Sequence, residues 1–176
     1  TLVEEDFNMS EIFDSVLASI SIAIKDKNIN LSTNIEGGNY INVHSDRIRL
    51  QQIFSNIFTN AVKFTRKNGK IELAIQTVSE DETTITRRVE IKDNGIGISE
   101  DFLPHIFESF AQEHSTLGNR NLGTGLGLPI VKHLVELMKG TIEVQSKQGV
   151  GTTVIITLPL IKTQKKITVN SFDSSS

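Results

Sequence analysis

The chain has 176 residues, 38% apolar and 22% charged, with a formal net charge of −3 and no cysteine. That size and balance suit one globular domain with a full core rather than a disordered chain. They exclude a strongly basic nucleic-acid surface, a bilayer span of roughly 20 apolar residues, disulfides and thiolate metal sites. No secretory leader is visible, so a cytoplasmic segment without direct membrane contact is expected. The first residue is Thr1 rather than Met, which reads as a piece excised from something longer, and a membrane-bound parent stays open.

In chain order, residues 1–10 hold Leu2, Val3 and Phe7 among acids, the pattern of a short strand. A helix is expected from Ser10 to about Lys27, with Ile12, Val16, Leu17, Ile20 and Ile24 on one face. Ile29–Ile35 alternates as a strand, Gly37-Gly38-Asn39 turns the chain, and Tyr40–His44 reads as that strand's partner. Asp46 is placed to cap a long helix to about Phe64, whose apolar stripe is Leu50, Ile53, Phe54, Ile57, Phe58, Ala61 and Phe64. Strands follow near Lys70–Val78 and Thr84–Lys92, joined at Ser79–Glu82. The polar stretch Glu108–Leu122 has no helical stripe and reads as a mobile loop.

The segment Gly123–Gly140 is the informative one. Gly123, Gly125 and Gly127 alternate, and Leu126, Ile130, Val131, Leu134 and Met138 then take helical spacing, with Gly140 a C-cap. Glycines leading into a helix bring backbone N–H groups and a positive helix end to an anion, phosphate first. The same pattern also serves a flexible loop before a core helix, and neither G-x-x-x-x-G-K-[ST] nor G-x-G-x-x-G is present. Thr141–Ser146 and Thr152–Leu158 close a second hairpin through Gly149-Val150-Gly151. The expected domain is 1–160, with 161–176 a polar tail or linker. Helices set between antiparallel hairpins predict an α+β fold, a two-layer sandwich in which one mixed, mostly antiparallel sheet is covered on one face by helices.

Three further patterns carry chemistry. Asn56, Asn60 and Lys63 project from one flank of the long helix, beside its apolar stripe. They are either a solvated flank or a set of amide oxygens for Mg²⁺ with an ammonium for phosphate. Asp93-Asn94-Gly95-Ile96-Gly97-Ile98 ends a strand in a carboxylate. It is either a plain turn or, with Ile96 and Ile98 buried, an acceptor for an amine such as that of adenine. Ile106-Phe107-Glu108-Ser109-Phe110 sets two rings at i, i+3, which serve as core or as a clasp at the mouth of the loop.

Taken together, these motifs resemble the ATP-binding domain of sensor histidine kinases, in the GHKL superfamily shared with gyrase, the heat-shock chaperone and mismatch-repair ATPases. Asn56–Lys63 (N-x-x-x-N-A-x-K-F) resembles the N box, Asp93–Gly97 the G1 box, Phe107–Phe110 the F box and Gly123–Gly127 the G2 box, over about residues 5–160. The resemblance implies that Asp93 binds the adenine amine and that Gly95, Gly97 and Ile98 shape its pocket. It implies that Asn56 and Asn60 hold Mg²⁺ and phosphates, with Lys63 on phosphate. Residues 111–122 become the ATP lid, its one basic residue Arg120 reaching for the γ-phosphate. Phe107 and the run Gly123, Thr124, Gly125, Leu126, Gly127 and Leu128 face the nucleotide, and Thr153 joins the adenine network through water.

The resemblance also implies an activity and partners. Kinases of this kind phosphorylate a histidine on a helical-hairpin domain that forms the dimer. His44, His105, His114 and His133 lack the H-[ED]-x-R-x-P context of that acceptor, so it is expected outside this chain. His105 and His133 read as partly buried. Glu108-Ser109-Phe110-Ala111-Gln112 is similar to hybrid kinases, which implies a downstream receiver domain or a response regulator. Two departures stand out: Leu122 where many relatives have glycine, and Pro129, which requires a helix start near Gly125 or Leu126. The competing functions are an ATP-hydrolysing switch, whose members place a Glu general base where Asn56 stands, and a nucleotide-binding pseudo-kinase.

Overall fold

The computed structural model describes residues 1–38, 41–108 and 127–163. Its elements are β1 (Glu5–Asn8), α1 (Met9–Asp26), β2 (Asn30–Ile35), β3 (Asn42–Ser45), α2 (Arg47–Phe64), β4 (Lys70–Glu80) and β5 (Thr84–Asp93). A 3-10 turn (Leu103–His105) follows, then α3 (Gly127–Leu137), β6 (Thr141–Lys147) and β7 (Gly151–Lys162).

The strands form one sheet in the order β1-β3-β7-β5-β4-β2, with β6 also on β7. Only β2 and β4 run parallel, from Asn30↔Lys70 to Ile35↔Ile75. The other pairs are antiparallel, as expected for a mixed sheet. The strand after the Gly37-Gly38 turn does not return to β2. It pairs with β1 and with the end of β7, where Val43 meets Lys162. β7 itself outruns the expected end at Leu158. It has β5 along one side, while on the other β6 ends at Thr157 and β3 begins at Ile161. Pro159 falls in that gap, where only one side of the strand is paired.

Alternation along the strands places Ile71, Leu73 and Ile75 of β4, Val89 and Ile91 of β5, and Val154, Ile156 and Leu158 of β7 in the core. α2 lies between α1 and α3 over this face, and its Leu50, Ile53, Phe54 and Phe58 are fully buried. Phe54 meets Phe13 of α1 with ring centroids 4.9 Å apart. Phe13, Val62 and Val135 join the core although the expected stripes omitted them, whereas Leu17, Ile24 and Phe64 are only half-buried.

The caps divide. Asp46 accepts from the Arg49 N–H at 3.1 Å and starts α2 as expected. Asn8, not Ser10, starts α1, its side chain accepting from the Ser10 N–H at 2.9 Å. At the end of α3 the left-handed residue is Lys139, with φ 63°, not Gly140. Gly140 is needed for a different reason: a Cβ there would stand 2.5 Å from the Thr157 carbonyl oxygen.

Candidate functional site

Asn56, Asn60 and Lys63 are half-buried on one flank of α2, next to the stripe that packs into the core. Among the described residues, neither amide side chain has a hydrogen-bond partner. α3 comes up to this flank closely enough that a Cβ on Gly127 would lie 3.4 Å from Asn60 Nδ2. The first described turn of α3 therefore meets the amide flank. Lys63 Nζ sits 5.9 Å from the centre of the Phe64 ring. Among the described residues no group of three or more His, Asp and Glu could hold a metal ion. The oxygens this flank offers are those of amides, which suit a hard cation.

Asp93 ends β5 with 8% of its surface exposed. It is in register with Ile71 on β4 and Thr152 on β7, so its carboxylate faces the helix layer. Burial raises its pKa above the ordinary carboxylate value, opposed in part by hydrogen bonds from the Gly95 and Thr152 backbones. Gly95 N–H donates to Asp93 Oδ1 at 2.9 Å.

The turn after Asp93 is held from three sides. Ile96 N–H donates to the Phe64 carbonyl at the end of α2 at 3.1 Å, and Gly149 N–H donates to the Ile96 carbonyl at 2.7 Å. Asn94 Oδ1 accepts from the Lys70 N–H at 2.8 Å. Ser146 Oγ accepts from the Ile98 N–H at 2.8 Å and donates to the Gly151 carbonyl at 2.9 Å. The two glycines are demanded by crowding. A Cβ on Gly95 would lie 2.4 Å from the Phe64 oxygen, and one on Gly97, at φ +69°, 2.1 Å from the Lys147 oxygen. Ile96 and Ile98 are half-buried rather than buried.

The register corrects one expected residue. Val154, Ile156 and Leu158 face the helices, so Thr152 shares the face of Asp93 and Thr153 points from the opposite face, paired with Lys92. A threonine beside Asp93 is therefore Thr152. Parity could have identified it, had the strand's core-facing positions been counted from Val154.

Phe107 is half-buried, and Lys132 Nζ of α3 lies 4.9 Å above its ring, which ties this segment to α3. His105 and His133 are exposed rather than partly buried, and His105 Nδ1 lies 2.8 Å from Glu108 Oε1. Pro129 is the third residue of α3, and Leu128 before it is half-buried. Phe110, the expected lid at 111–122 with His114 and Arg120, and Gly123, Thr124, Gly125 and Leu126 lie outside the described residues. Residues whose part was not foreseen are Asn94, Ser146 and Thr152, each a short polar side chain or backbone group that fixes the turn.

Comparison with known proteins agrees with this geometry. Residues 45–162 match the family described as histidine kinase-, DNA gyrase B-, and HSP90-like ATPase. The hybrid signal transduction histidine kinase B of Dictyostelium discoideum is 34% identical over 158 residues, 90% of this chain and 8% of that protein. The signal transduction histidine-protein kinase BarA of Escherichia coli strain K12 is 36% identical over 147 residues, 84% of this chain and 16% of that protein. The chain thus spans less than a fifth of the length of these relatives. Among solved structures, full-length ShkA in complex with AMPPNP superposes with a TM-score of 0.73 at 27% identity, covering 93% of this chain and 32% of that one. With N-box flank, buried aspartate and glycine-turn geometry in place, the chain belongs to the histidine kinase-, DNA gyrase B-, and HSP90-like ATPase family, as a catalytic domain of the sensor histidine kinase kind.

Proposed function

We propose that this domain binds Mg-ATP and transfers the γ-phosphoryl group to a histidine on a separate helical-hairpin domain of the same parent protein, in two-component or phosphorelay signalling. The observation that carries this reading is the meeting of Asn60 with Gly127, on the sheet face toward which Asp93 also points. A base-amine acceptor and a phosphate-facing set then share one side of the sheet. ShkA, solved with AMPPNP, has the same fold and supports a triphosphate ligand here.

In this reading Asp93 accepts from the exocyclic amine of adenine, and Gly95 and Gly97 let the backbone close under the base. Ile98, Phe107 and Leu128 supply apolar walls, and Thr152 takes the place first given to Thr153. Asn56 and Asn60 would hold the ion through their amide oxygens, and Lys63 would offset phosphate charge. Arg120, Gly123, Thr124, Gly125 and Leu126 are assigned to the phosphates by family resemblance. Mg²⁺, when bound, screens the triphosphate and polarises the γ-phosphoryl group. The amide set fits such an ion, since both amides are unpartnered among the described residues. Positioning and charge stabilisation are what phosphoryl transfer asks of a protein. The P–O bond to ADP breaks with its electrons leaving on ADP as a P–N bond to the imidazole forms, and the imidazole proton passes to water.

Asn56 favours transfer over the hydrolytic switch, because an amide cannot act as a general base toward water. A receiver domain or response regulator would accept the phosphoryl group next. The test is incubation with γ-labelled Mg-ATP, with and without the parent's hairpin domain. Label on the hairpin histidine, and none on this chain, is expected. Label retained on this chain, or phosphate released without transfer, contradicts the reading.

A further inference from the structure

The C-terminal end of α2 holds an unusual cation. Lys27, the residue that closes α1, donates from Nζ to the carbonyl oxygens of Val62 at 2.7 Å, Lys63 at 3.1 Å and Thr65 at 3.0 Å. The remaining carbonyl of that end, Phe64, accepts from Ile96 N–H of the Asp93 turn. The whole helix end is thus paired, three carbonyls to one ammonium from a different helix. The backbone of Lys27 is itself fixed, its carbonyl accepting from Asn68 N–H at 2.8 Å, and Asn28 Nδ2 donates to Asn68 Oδ1 at 2.8 Å. In the sequence Lys27 marks only the approximate end of the first helix. Only the packing of α1 on α2 sends it across.

We infer that Lys27 is a positioning residue of the nucleotide site, an ammonium on the C-terminal end of α2 that lets this end sit beside a polyanion. This rests on the ATP reading above. A helix C-terminus carries a partial negative charge of about half a unit, which repels anions placed within its last turn. Lys63 stands in that last turn and Asn60 directly before it, on the flank where the phosphates would lie. An ammonium bound to those same carbonyls offsets the repulsion, and it fixes the orientation from which Lys63 and the Phe64 carbonyl extend. A staple that served stability alone would not distinguish a charged ligand from a neutral one.

The test compares Mg-ATP and adenosine, titrated calorimetrically into wild type, Lys27→Met and Lys27→Arg, with thermal melting alongside. Lys27→Met is expected to weaken Mg-ATP by about tenfold while changing adenosine affinity less than threefold, with the difference shrinking as salt is added. Lys27→Arg is expected to recover most of the Mg-ATP affinity. Equal losses for the two ligands, or no rescue by Arg in a protein that melts like wild type, would overturn the inference while leaving the ATP reading standing. Wild type that binds neither ligand would remove both. Should Lys27→Met fail to fold, Lys27→Gln, which keeps two donors without charge, carries the same comparison.

Discussion

Gly95 N–H donates to Asp93 Oδ1 at 2.9 Å, so the carboxylate is held by the backbone of its own turn before any ligand arrives. That bond and one from Thr152 favour the ionised form, yet burial outweighs them and the Asp93 pKa is raised. Between the ordinary carboxylate value and the raised one, the folded chain holds a proton that the unfolded chain has lost. Stability therefore falls as pH rises through that window, and the whole penalty is in force above it. Asp93→Asn keeps an acceptor for Gly95 and removes the charge. The unliganded variant is expected to melt above wild type at pH 7, with the gap closing as pH falls into the carboxylate range. A variant that melts lower at pH 7 would show that the two backbone bonds outweigh burial.

The glycines of the site differ in what an added methyl would meet. Gly97 has φ +69° and the Lys147 oxygen 2.1 Å from a Cβ, whereas Gly149 has φ +82° and open space. A left-handed alanine costs about 1–2 kcal/mol on its own. Gly149→Ala should lower the melting temperature by about 2–8 °C, and Gly97→Ala by more, because the turn must also shift. Gly97→Ala is also expected to weaken nucleotide binding, and Gly149→Ala to leave it within about twofold. Equal melting temperatures for the two variants would contradict the packing described for the turn.

Thr152 and Thr153 separate the two faces of β7. Thr152→Val is expected to weaken Mg-ATP binding by about three- to tenfold, the range of roughly 0.7–1.4 kcal/mol for one hydrogen bond. Thr153→Val should leave affinity unchanged, since its side chain points from the other face. The reverse order of losses, read by calorimetry, would mean that the base contact does not lie on the helix side of the sheet.

How much of this was legible depends on the range of the interaction. The cap, the end and the polar flank of α2 are legible because all are local to 46–64, although its stripe gains Val62 and loses Phe64 once the helix packs. The Asp93 turn was legible as a motif, but not its three anchors. Phe64, Lys70 and Ser146 come from α2, β4 and β6, and no spacing in the sequence announces that they converge. Strand pairing hid for the same reason: β3 finds β1 and β7 across the chain rather than its neighbour β2. Thr153 rests on the resemblance alone, and only the register of β7 against β5, with Thr152 opposite Asp93, separates it from its neighbour. Gly140 invited a capping role from its type, while the packing of Thr157 above it is what requires a glycine there.

Whether Asp93 receives the adenine of Mg-ATP, as proposed, is decided by calorimetric titration of Mg-ATP into wild type and Asp93→Asn. An amide at 93 presents its own donors to the base amine. Wild type is expected to bind, and the variant to lose at least about tenfold, roughly 1.4 kcal/mol, even though it is expected to be the more stable protein. Wild-type affinity carried unchanged into Asp93→Asn would contradict it.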